Sequence, residues 1–102
     1  MAVEIENAQN GGVVTIKVSD KFDFSLHRTF REAYKNCSTQ GVKFEVDLSK
    51  ADYMDSSALG MLLLLREHVE GLNGNVAIVH PSESVRKVLT VASFDRLFSI
   101  VD

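Results

Sequence analysis

A chain of 102 residues, 45% of them hydrophobic, has the size of one globular domain and can bury a core without disulfides or a structural metal, so residues 1–102 are expected to fold as a single domain. Its 11 basic residues are scattered among 14 acidic ones for a net charge of −3, which argues against nucleic-acid binding. The longest apolar run, Ala58 to Leu65, stops well short of the ~20 residues that span a bilayer, the N-terminus lacks the pattern of a signal peptide, and the single Cys37 has no internal disulfide partner; together these predict a cytoplasmic protein with no direct membrane insertion.

In chain order, Val3 and Ile5 alternate with Glu4 and Glu6, and after the turn-rich stretch Gln9-Asn10-Gly11-Gly12 the residues Val14, Ile16 and Val18 alternate with Thr15 and Lys17. This pattern predicts an antiparallel hairpin. From Ser25 the apolar residues Leu26, Phe30, Ala33, Tyr34 and Cys37 fall at helical spacing, with Ser25 as expected N-cap and Gly41 beyond the end. Val42, Phe44, Val46 and Leu48 alternate with Lys43, Glu45 and Asp47, the mark of a strand with one buried face. Ser56 to about Gly71 reads as a second helix, and Leu72-Asn73-Gly74-Asn75 turns the chain into a strand from Val76 to Val79. Pro81-Ser82 opens a third helix with Val85, Val88, Leu89 and Ala92 inward, and Leu97 to Val101 reads as the last strand. The order β-β-α-β-α-β-α-β predicts an α/β fold: a mixed, mostly parallel β-sheet with right-handed crossovers and one antiparallel edge strand, packed against α-helices.

This layout puts Asp55, Ser56 and Ser57 at a strand-to-helix turn, on the side of the sheet where α/β proteins commonly place their sites. The plain reading is that Asp55 or Ser56 caps the second helix. That explains one polar residue better than three. A phosphate on Ser56 would meet the free amides and positive dipole end of the helix. It would add a charge of about −1.5 to −2 at neutral pH. Asp55 would repel that charge, so the expected effect is a small change in fold and a large change in surface potential.

The stretch VDLSKADYMDSSALG, Val46 to Gly60, resembles the signature of the STAS domains, and specifically of the anti-sigma factor antagonists (anti-anti-sigma factors). Phe22-Asp23 resembles the family's apolar-Asp pair, NGNVAIVHPSESVRKVL its strand-Pro-Ser-helix unit, and FDRLFSIVD its final strand. The resemblance covers nearly the whole chain. It implies a bacterial partner switch in signal transduction and transcription regulation, not an enzyme. The unphosphorylated domain binds a serine kinase of the histidine-kinase-like ATPase superfamily, often itself an anti-sigma factor; phosphorylation ends the binding, and a metal-dependent serine phosphatase restores it. By position the phosphoacceptor is Ser56. Asp55 precedes it, Ser57 matches the neighbouring Ser or Thr, and Asp23 is the acidic residue expected on the same surface. No cofactor is implied for this chain, since nucleotide and magnesium belong to the kinase. Ala58 stands where the family usually has Gly, and Asp20 where a Gly commonly precedes the Phe-Asp pair. Many relatives add a helix after the last strand.

Other residues point to less. His27, His68 and His80 are dispersed, and Glu67-His68 lacks a second histidine at ligand spacing, so no metal site is expected. Cys37 lies on the apolar stripe of the first helix as a small core residue. Met54 and Met61 flank the serines; filling the core is their default, and Met54 is also a candidate for an adaptable contact with a partner. A serine hydrolase would need a base and the pattern G-x-S-x-G, where this chain reads M-D-S-S-A. A STAS regulatory subunit of a membrane transport or lipid-trafficking complex would share the same fold.

Overall fold

The computed structural model describes residues 2–7 and 12–102. The expected turn at Gln9-Asn10-Gly11 lies outside them, but the hairpin it joins is present: β1 (Val3–Asn7) pairs antiparallel with β2 (Val13–Phe22), Ile5 opposite Ile16. Then follow α1 (His27–Glu32), β3 (Lys43–Met54), α2 (Ser56–Glu70), β4 (Asn75–Val79), α3 (Glu83–Val91) and β5 (Ser99–Val101). The five strands form one sheet in the order β1-β2-β3-β4-β5, and every pair after the first is parallel.

Alternation decides which face of the sheet is covered. Ile16, Val46 and Ile78 stand side by side in register and are fully buried. Lys17 and Asp47, the next residues along β2 and β3, face the other way, and Lys17 pairs there with Glu6 at 2.9 Å. The buried helix residues, Phe30 of α1, Met61, Leu62 and Leu65 of α2, and Val85 and Leu89 of α3, belong to the same cluster as the buried strand residues. The molecule is thus two-layered, with the helices on one face of the sheet.

Three elements differ from expectation. The strand read as Val42 to Leu48 runs on to Met54. Its buried residues change from every second position, at Phe44, Val46 and Leu48, to every third, at Ala51 and Met54, because register shifts against β2 between Lys17 and Ser19 and between Asp20 and Lys21 insert bulges. Asp20 takes φ 64° there, a left-handed conformation that glycine adopts more easily. The first helix is shorter than its apolar stripe. A 3-10 turn at Phe24–Leu26 precedes α1, and Tyr34 and Cys37 follow on turn hydrogen bonds that keep their side chains on the inner face. Ser25 is not its cap: Asp23 caps the 3-10 turn, and Leu26 before α1 makes no side-chain cap. In the last segment Phe94–Arg96 forms a second 3-10 turn, so that β5 begins at Ser99 rather than Leu97.

Candidate functional site

The site is built where two parallel strands end together. Phe22 closes β2, Met54 closes β3, and the two are paired in the sheet. The next residue on each strand is an aspartate, so Asp23 and Asp55 emerge side by side at the carboxyl edge. Each then performs the same local task. Asp23 accepts hydrogen bonds from the Ser25 amide at 2.9 Å and the Ser25 hydroxyl at 2.5 Å; Asp55 is the N-cap of α2 and accepts from the Ala58 amide at 3.1 Å. Of the two residues proposed for that cap, the structure selects Asp55, a device worth about 1 kcal/mol of helix stability.

With Asp55 engaged as the cap, Ser56 is left without a structural duty. It is the first residue of α2, exposed, and among the described residues its hydroxyl has no hydrogen-bond partner. Ser57 beside it is half-buried. Ala58 is fully buried in the core, so its methyl group is accommodated where the family pattern usually has glycine. Met54 is a correction: it is only 5% exposed, inside the core cluster with Met61, because the bulged end of β3 turns it inward. It fills the core and presents no contact surface. Tyr53, its neighbour, points outward instead.

No histidine is hydrogen-bonded to either serine among the described residues. His68 Nε2 lies 2.9 Å from the Cys37 carbonyl, and the His27 ring stacks on Phe24 with centroids 5.0 Å apart. Neither of these two histidines is placed as a general base for Ser56 or Ser57. The arrangement supplies an exposed hydroxyl at a helix N-terminus next to Asp55, with Asp23 after the neighbouring strand end.

Ser25 escaped the sequence reading as anything but a cap, although the spacing Asp-x-Ser is the signature of a turn in which the acid accepts from the residue two places on. Its hydroxyl, then its amide, hold the Asp23 carboxyl below the usual carboxylate range. A lowered folded-state value means that this interaction supports the fold above the unfolded-state pKa and fades as the pH falls through the folded-state one. Ser25→Ala removes the stronger donor to the charged form, so Asp23 should titrate at a higher pH than in the parent. Carboxyl-detected NMR reads this directly, and an unmoved midpoint would show that the hydroxyl does not hold the carboxylate.

Comparison with known proteins gives the family and the fold. Residues 4–102 match the family model described as the STAS domain. A STAS-domain containing protein of Pseudomonas aeruginosa (strain UCBPP-PA14) is 42% identical over 100 residues, which cover 98% of this chain and 99% of that protein. Among solved structures, the anti-sigma factor antagonist SpoIIAA in its unphosphorylated form superposes with a TM-score of 0.79 at 18% identity, over 99% of this chain and 89% of that one. The Bacillus cell fate determinant SpoIIAA in the phosphorylated form superposes at 0.68 with 19% identity, over 99% and 92%. At such identities the two structures speak for the fold, and the family match speaks for descent. The chain belongs to the STAS domain family.

Proposed function

We propose that this chain is a cytoplasmic partner-switching regulator, not an enzyme, controlled by phosphorylation of Ser56. Unphosphorylated, it binds a serine kinase of the histidine-kinase-like ATPase superfamily that acts as an anti-sigma-type protein, and so frees the kinase's other client. Phosphate on Ser56 ends the binding, and a metal-dependent serine phosphatase restores it. One observation carries the reading: at the head of α2 the cap is supplied by Asp55, which leaves Ser56 exposed and unengaged next to it, with Asp23 following the neighbouring strand end. A structural serine would be the cap. A hydroxyl with no task in the fold, on the edge of the sheet where sites are built, is available to a kinase. Asp23, Asp55 and Ser57 then form the surface that the partner reads around it.

The test uses the kinase that co-purifies with the tagged chain from its own cells. With ATP, that kinase should add one phosphate to the parent and to Ser57→Ala, and none to Ser56→Ala. Full modification of Ser56→Ala with none of Ser57→Ala would overturn the assignment.

A further inference from the structure

The serines at the start of α3 reach back to β3. Parallel pairing between β3 and β4 ends at Asp47 and Val79, whereas β3 runs on to Met54. Among the described residues, the stretch 48–54 therefore has a strand partner on one side only, and that ladder, with β2, is interrupted by the two register shifts. Here α3 supplies donors that a strand would otherwise supply. The Ser82 hydroxyl donates to the Ala51 carbonyl at 2.6 Å, and the Ser84 hydroxyl to the Asp52 carbonyl at 3.1 Å. Only Tyr53 and Met54 separate these carbonyls from Asp55.

Helix capping does not account for these bonds. As N-cap of α3, Ser82 needs only to accept from the Val85 amide, at 3.4 Å, and an Asp or Asn would do that as well. Its proton goes to β3 instead. Ser84 is exposed and caps nothing; beside a 3.5 Å contact with the Ser82 hydroxyl, its bond is the one to Asp52. The chain that delivers the pair is itself held. His80 takes φ 53°, a left-handed conformation uncommon outside glycine, and its amide donates to the Val101 carbonyl at 2.6 Å.

We infer that Ser82 and Ser84 are positioning residues for the switch: they latch the end of β3, and with it the Asp55-Ser56 turn, in the place from which Ser56 is phosphorylated. The inference rests on the partner-switch reading and adds how the acceptor is held. The Asp55 cap fixes the turn to α2, but where the turn lies on the sheet is set by the strand that leads into it. Met54 anchors that strand by its buried side chain, and the two hydroxyls hold its backbone. A segment with a broken ladder opens locally more readily than a core strand. A reacting group displaced by about 1 Å can lose about a hundredfold in rate.

Three variants separate the latch from the cap. Ser82→Asp keeps a capping acceptor and removes the donor to Ala51, Ser84→Ala removes the donor to Asp52, and Ser82→Thr keeps both functions. In the free chain, amide hydrogen exchange at residues 53–55 should speed up about tenfold in Ser82→Asp and in Ser84→Ala, the worth of one hydrogen bond, while Val46 exchanges as in the parent. The co-purified kinase should phosphorylate the same two variants with a kcat/KM about tenfold lower. Ser82→Thr should match the parent in both measurements. Should Ser82→Asp fail to fold, Ser84→Ala decides by itself. Exchange in Ser84→Ala equal to the parent's would overturn the latch whatever the kinase does. Faster exchange with unchanged phosphorylation would overturn the positioning role, and the partner-switch reading would survive either result. A kinase that leaves Ser56 of the parent unmodified removes that reading and this inference with it.

Discussion

Phosphorylation of Ser56, or the substitution Ser56→Asp, should abolish kinase binding while leaving the melting temperature and circular dichroism of the domain close to those of the parent. The fold has no stake in the side chain: Ser56 is exposed, Asp55 already caps α2, and the helix's buried residues start at Ala58. A phosphate there can stay solvated in the free protein. In a complex it would have to shed water beside Asp55, with Asp23 alongside on the neighbouring strand end. Like charges juxtaposed in an interface cost several kcal/mol. About 3 kcal/mol weakens binding more than a hundredfold, since each 1.4 kcal/mol is tenfold. Ser56→Ala should stay competent to bind. Calorimetric titration and a thermal melt of each form check the claim. Phosphorylated protein that bound as tightly as the unmodified form would sink it, as would a phosphorylated domain whose melt collapsed, because release would then come from unfolding.

How far these features were legible in the sequence depends on how local their cause is. Strands with strict alternation, such as Phe44-Val46-Leu48, announce both their existence and their buried face, because a period of two has no other reading. The continuation to Met54 was hidden, since the bulges against β2 depend on a partner strand some thirty residues away. The same bulge turns Met54 inward, which is why a methionine beside the serines looked available for contact and is not. Asp55 as cap was one of two local options that only the backbone geometry could separate. Resemblance suggested Asp23 as a neighbour of Ser56, but its tie to Ser25 is a matter of side-chain orientation. The exposed leucines, Leu63 and Leu64, were obscured by composition: four in a row suggest a helix buried on much of its circumference, whereas the stripe Ala58, Met61, Leu62, Leu65, Val69 is a single face. Spacing of three and four, applied strictly, separates Leu62 and Leu65 from Leu63 and Leu64.

That separation makes a sharp expectation for stability. Leu62 and Leu65 are both fully buried, and a leucine cut to alanine in a packed core loses transfer energy and leaves a cavity, together about 2–5 kcal/mol. A domain of this size holds only about 5–15 kcal/mol in total, and each kcal/mol moves its melting point by about 4–8 °C. Either Leu62→Ala or Leu65→Ala should therefore melt at least about 8 °C below the parent. Leu63→Ala and Leu64→Ala remove side chains that are mostly or partly in water, and such changes usually stay within about 0.5 kcal/mol; alanine's helix propensity further offsets the loss. Four parallel melts decide the matter. Equal damage from Leu64→Ala and Leu62→Ala would mean that α2 is rotated about its axis from the orientation described, and the face that carries Ser56 would no longer be the open one.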